Sequence, residues 1–137
     1  VVYYPFRTAS KKDFYMGWDK HAAATYARQH AGSSSHSRCA EFTRIAINAG
    51  GGGISNTRHA KDYGSVLEAA GFRTIGQGEN LREGDVVIIQ PYTGGNPSGH
   101  MAIFDGTNWY SDFRQRDMWA GPGYRSARPA HKIYRKN

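Results

Sequence analysis

The stretch "SGHMAIFDGTNWYSDF" (Ser98–Phe113) carries the pattern of two strands joined by a tight turn. "HMAIF" (His100–Phe104) is a short apolar run bounded by loop residues, as a buried strand would be. "DGTN" (Asp105–Asn108) is a strong hairpin turn, and it predicts an antiparallel partner in "WYSDF" (Trp109–Phe113). Working outward, "DVVIIQ" (Asp85–Gln90), introduced by "LREG", predicts another short buried strand. "GNPSG" before His100 reads as a loop, and a loop containing "GPG" precedes a last strand around "HKIYR" (His131–Arg135).

Upstream, the pattern is helical. "WDKHAAATYARQHA" (Trp18–Ala31) is rich in helix formers, and Gly32 with the following serines stops it. A second helix is expected from about Arg38 to Asn48, with Ser37 as N-cap and Cys39, Phe42, Ile45 and Ala46 on one face. "GGGG" (Gly50–Gly53) ends it, and a third helix from about His59 to Ala70 is closed by Gly71. Helices first and antiparallel strands after give an α+β order. The 137 residues fit a single domain, 1–137, with one core. Aromatics near the amino end (Tyr3, Tyr4, Phe6, Phe14, Tyr15) are expected to tie it onto the body, and a start at Val1 suggests a piece of something longer.

Lys and Arg total 18 against 11 Asp and Glu, a formal charge of +7, which favours a polyanionic partner: nucleic acid, anionic lipid or an acidic wall polymer. The basic residues are scattered, with modest clusters at Arg7–Lys12 and Arg125–Lys136. No nucleic-acid-binding motif accompanies them, which argues against a nucleic-acid reader. No apolar run is long enough to cross a membrane, and no signal-peptide pattern is present. A single cysteine rules out an internal disulfide and leaves the redox compartment open. His36 and Cys39 make one H-x-x-C pair with no second pair to match, so neither a metal nor a cofactor is expected.

That cysteine, Cys39, sits where "SSSHSR" (Ser33–Arg38) feeds a helix start. Backbone N–H groups and the helix dipole favour a thiolate there. A nucleophilic thiol also needs a base and a group to orient that base. Of the six histidines, His100 stands out because it opens an apolar strand after a flexible loop. Asp112, on the returning strand, is the candidate third residue. A two-residue turn at Gly106–Thr107 would put Phe113 opposite His100 and point Asp112 to the other face, so this role requires a longer loop or a bulge. Each residue alone has a blander account: a small buried hydrophobe, a core histidine, a surface acid. Their joint order favours chemistry. Tyr92, Trp109 and Trp119 are candidates for lining a substrate groove, against ordinary core or rim packing, and Gln115 for shaping the site.

The segments "SRCAEFTRIAINAGG", "LREGDVVII", "SGHMAIFDGTNWYSDF", "GPGYR" and "PAHKIYR" together resemble the papain-like cell-wall hydrolases of the CHAP and NlpC type. The likeness runs from roughly Ser33 to Arg135. In size, order and basic character the chain also resembles bacterial amidase toxins delivered by type VI secretion. This resemblance implies a papain-like fold and a peptidoglycan substrate, with Cys39 attacking a peptide amide, His100 as base and Asp112 as orienting acid. It further implies action in the bacterial periplasm or wall, with the bond between D-glutamate and diaminopimelate favoured. A monomer and a cognate immunity protein are expected alongside. The chain departs from the pattern at Arg38, where CHAP members commonly carry a Gln tied to the oxyanion site. The Cys39 backbone N–H is then the safest oxyanion donor, with Ser35, His36 or Ser37 as further candidates. The rival reading is an inactive basic module that binds wall or nucleic acid, which would have no need of the thiol.

Overall fold

The computed structural model describes residues 17–76 and 78–137. The amino-terminal aromatics and the Arg7–Lys12 cluster lie outside the described residues. Helix α1 (Lys20–His30) starts at Asp19, whose carboxylate accepts the Ala22 N–H at 2.9 Å as an N-cap. Its buried stripe is Ala23, Ala24 and Ala27, small side chains that let α2 (Cys39–Ala49) lie close against it. The expected third helix divides into a 3-10 turn (Ala60–Asp62) and helix α3 (Tyr63–Ala69). The turn is held from outside, by Lys61 N–H donating to the Ser98 carbonyl at 2.8 Å and by a 2.8 Å bond between His59 Nδ1 and Ser98 Oγ.

Five strands follow: β1 (Arg73–Thr74), β2 (Val86–Ile89), β3 (His100–Phe104), β4 (Trp109–Tyr110) and β5 (His131–Arg135). They pair antiparallel in the order β1-β5-β2-β3-β4. The chain is α+β, as its element order predicts. β1 carries no sequence signal, being two exposed residues that simply extend the edge of β5. The "GPG" segment opens helix α4 (Pro122–Ala127), with Pro122 in the first turn where its missing N–H costs nothing.

Both faces of the sheet are covered, which is why β2 reads as an unbroken apolar run. Val86, Ile88, Met101 and Ile103 meet Ala23, Ala46, Ile47 and Leu67 of the helices. Val87, Ile89 and Ala102 meet Trp109, Tyr124 and the segment carrying Met118, Trp119 and Ala120. Each fully buried Val or Ile here contributes about 1.5–3 kcal/mol. At the start of β2, Asp85 is fully buried and takes two 2.8 Å bonds from Nε and Nη2 of Arg135, clamping β2 to the end of β5.

Two departures from expectation place the site. The buried stripe of α2 is Thr43, Ala46 and Ile47, with Phe42 and Ile45 half-buried. Thr43 Oγ1 donates to the Met101 carbonyl at 3.2 Å, and Cys39 stands one turn above it on the same stripe. The second departure is in the hairpin. Its register, Phe104 opposite Trp109 and Ile103 opposite Tyr110, is that of the two-residue turn. The strand nevertheless ends at Tyr110 instead of running to Phe113. The chain reverses there, with Ser111 N–H bonded to the Phe113 carbonyl at 3.0 Å and Gln115 N–H to the Trp109 carbonyl at 2.9 Å. Gly32 pins the reversal from the other side, donating to the Asp112 carbonyl at 2.9 Å and accepting from Arg114 N–H at 3.1 Å. Gly32 thus acts as a bridge between segments.

Candidate active site

Cys39 is the first residue of α2 and is half-buried. No side chain caps this helix: the N-cap is Arg38, and the expected cap, Ser37, takes the left-handed backbone conformation at φ 59°. Asp112 explains that conformation. Its Oδ2 accepts the His36 N–H at 2.6 Å and the Arg38 N–H at 3.0 Å, and gathering two amides on either side of Ser37 turns the backbone into an anion-holding nest. Amide bonds to a carboxylate contribute about 1.5–3 kcal/mol each, enough to offset the roughly 1–3 kcal/mol of a strained residue. The fully buried Asp112 therefore fixes the loop that presents the thiol.

His100 is 5% exposed at the start of β3. Gly99, just before it, has φ +74°, and a Cβ there would collide with the Ile89 carbonyl. The strand can enter beside β2 only because this residue is glycine. His100 Nε2 lies 2.6 Å from Gln115 Oε1. The orientation of the Gln115 amide is set by its other end, where Nε2 donates to the carbonyls of Asp117 at 2.9 Å and Met118 at 3.2 Å. The oxygen must then face the imidazole, so His100 carries its proton on Nε2 and leaves Nδ1 as a free base.

The assignment of Asp112 as the partner of His100 is accordingly corrected: the imidazole's hydrogen bond goes to Gln115, and Asp112 binds the cysteine loop. The reason is the early end of β4. The reversal at Ser111–Phe113 carries position 115 back beside β3 and turns Asp112 towards residues 36–38. Gln115, expected to shape the site and bind substrate, is buried at 3% exposure and bonds His100 instead.

Burial dominates the electrostatics. It pushes the Cys39 thiol up, opposed by N–H groups of Met101, Ala40 and Cys39 itself, with the Asp112 charge adding to the rise. It pulls the His100 imidazole down, opposed by the Gln115 hydrogen bond and the Asp112 charge. Each group in isolation thus rests neutral near pH 7, so a base that takes up the thiol proton during attack suits the pair better than a standing ion pair.

Two clefts meet at this cysteine. One, about 370 Å³, is bounded by Cys39, His100, Tyr92, Phe113, Tyr124 and the start of α4. The other, about 390 Å³, runs from Cys39 along Arg38, Glu41, Arg44 and the 56–60 loop. Ser37, Cys39, Asn96 and Gly99 belong to both, so the thiol lies at the junction of one continuous groove. Tyr92 lines it as expected. Trp109 does not: it is 4% exposed and packs 5.0 Å from the Phe104 ring in the core. Trp119 also packs on that core, edge-on to His131, and is absent from both walls. Tyr124 is a wall residue the sequence reading missed, since nothing local marks it; burial, then the Cys39 and Tyr92 charges, push its hydroxyl up to about 12, so it stays protonated.

The chain aligns with a solved structure described as the type VI native effector–immunity complex Tae3–Tai3 from Ralstonia pickettii, at 48% identity, with a TM-score of 0.81, over 88% of this chain and 100% of that one. The chain belongs to the Tae3 effector family. A second structure of the Ralstonia pickettii complex, with selenomethionine, gives 49% identity and a TM-score of 0.79 over 83% and 99% of the two chains. The structure described as Ly7917, 19% identical with a TM-score of 0.51 over 83% of this chain and 61% of that one, shares the fold alone. No family model and no curated protein matches the chain. The Tae3 match fits the chain's α+β order of helices and strands. Among the described residues, no group of His, Cys, Asp and Glu could hold a metal ion, and no helix is long and apolar enough to cross a membrane.

Proposed function

We propose that this Tae3-family chain is an antibacterial effector that hydrolyses a peptide amide of peptidoglycan, by acyl transfer through Cys39 and His100, in a papain-like arrangement. The observation that carries the reading is the 2.6 Å bond from His100 to a buried, oriented Gln115, with Cys39 on the same cleft. An inactive binding module would have no use for an imidazole with a fixed tautomer on the cleft it shares with a thiol.

In the proposed reaction, His100 Nδ1 takes the Cys39 proton as sulfur attacks the amide carbonyl. The tetrahedral oxyanion is received by the Cys39 backbone N–H at the helix start. Its collapse breaks the C–N bond, and the imidazolium gives its proton to the departing amine. Water, deprotonated by Nδ1, then attacks the thioester, and the acid product leaves as the thiol is re-formed. Gln115 accepts from Nε2–H throughout, holding the ring without adding a charge that would trap the proton. The bond between D-glutamate and diaminopimelate is the favoured target, the periplasm of a target cell the proposed place of action, and a cognate immunity protein the proposed partner. Mass analysis of muropeptides released from purified sacculi tests activity and bond together. Sacculi digested equally well by Cys39→Ala would overturn the reading.

A further inference from the structure

The cleft on the far side of Cys39 from His100 has a character of its own. Its wall carries three guanidinium groups, Arg38, Arg44 and Arg58, against one carboxylate, Glu41. Glu41 is engaged by Arg38, at 2.6 and 3.0 Å. Among the described residues Arg44 and Arg58 make no ion pair, and Arg44 Nε is buried with no hydrogen-bond partner. Arg58 stands on a wall that is built, not loose: Tyr63 Oη donates to Asn56 Oδ1 at 2.8 Å and receives the Thr57 N–H at 3.3 Å. A buried guanidinium nitrogen left unpaired is costly, and no hydrogen bond among the described residues repays it there, while the residue itself lines the cleft.

We propose that this half of the groove is a carboxylate subsite, with Arg44 as its principal residue and Arg58 as its second, and that it selects substrates carrying a free carboxylate beside the bond presented to Cys39. The inference rests on the hydrolase reading and adds the substrate feature that reading lacks. The chemistry fits: glutamate joined through either of its carboxyls keeps the other, and diaminopimelate in a peptide keeps at least one. Arg44, five residues after Cys39 on α2, lines the same cleft as the sulfur. Arg is suited to the task because its fork binds a carboxylate with two parallel bonds.

The test compares a muropeptide with its carboxamide analogue. The parent should cleave the carboxylate form at least about tenfold better in kcat/KM, and Arg44→Gln should erase most of that preference through KM. Arg44→Lys should retain part of it, and Arg58→Gln should weaken it less. A parent indifferent to amidation, or an Arg44→Gln enzyme with the preference intact, would overturn the subsite. A separate readout needs no hydrolysis: alkylation of Cys39 by iodoacetate relative to iodoacetamide, followed by mass, should fall several-fold, about three or more, in Arg44→Gln. An unchanged ratio counts against the subsite, whereas hydrolysis surviving Cys39→Ala counts against the enzyme reading and leaves the alkylation ratio to judge the arginines.

Discussion

Asp85 and Asp112 are both fully buried, near opposite ends of the β2–β3 hairpin, and they are held in opposite ways. Asp85 meets a guanidinium through two 2.8 Å bonds. Asp112 meets two backbone amides and the Ser111 hydroxyl, which satisfy its oxygens without cancelling its charge. One end of the hairpin is therefore neutralised and locked. At the other, a live negative charge reaches both Cys39 and His100 while the same carboxylate shapes the cysteine loop. A buried acid next to a candidate nucleophile is thus not automatically the acid of a triad. What distinguishes the roles is which donor it accepts from.

That contrast can be broken from either end. The largest effect is expected from Cys39→Ala, which should cut sacculus digestion by about four orders of magnitude or more while leaving the fold intact, as a dye-release assay beside a circular dichroism spectrum would show. Arg135→Met should do the reverse. Stranding the Asp85 charge costs about 3–5 kcal/mol of stability in urea unfolding, with the rate per folded molecule unchanged. Next comes the comparison that decides between the two candidate third residues. Gln115→Ala should lower kcat about 10- to 100-fold by freeing the imidazole. Asp112→Asn, which keeps an oxygen for the two amides but removes the charge and puts an NH2 where the Ser111 hydroxyl donates, should cost about 1–3 kcal/mol of stability and less of kcat than Gln115→Ala. The opposite ranking would restore Asp112 as the orienting acid.

The smallest effect is a shift in pH dependence. Burial lowers His100 from its ordinary 6.5, so the acid limb of kcat/KM, which reports loss of the neutral base, should lie below that value. Burial raises the thiol from 9.0, so the alkaline limb should lie above it. Gln115→Glu would place a carboxylate on Nε2, favour the imidazolium and move the acid limb upward. An acid limb that ignores this substitution would detach residue 115 from the base.

Much of the architecture was legible because it is written in local pattern. The bounds of β3, the hairpin turn at Asp105–Asn108 and a helix starting near Arg38 all follow from apolar runs and turn residues over a few positions. Tyr92 lines the cleft that holds Cys39 and His100. The face of α2 was read one step out of phase, because Thr43 is polar by type yet buried by a bond to β3. Trp109 looked like a groove residue and is core, since the second layer that covers it comes from residues 111–130, where only the short helix α4 is regular.

The sequence by itself determined an α+β chain, with a thiol at a helix start and a histidine at a strand start, because both depend on neighbours within one or two turns. The tertiary structure alone decided which side chain meets that histidine. Strand period predicts a partner only while the strand continues, and β4 stops after two residues. Where the chain then turns depends on Gly32, eighty residues away in sequence and bonded to both sides of Phe113. That contact gives Gln115 to His100 and Asp112 to the loop before Cys39.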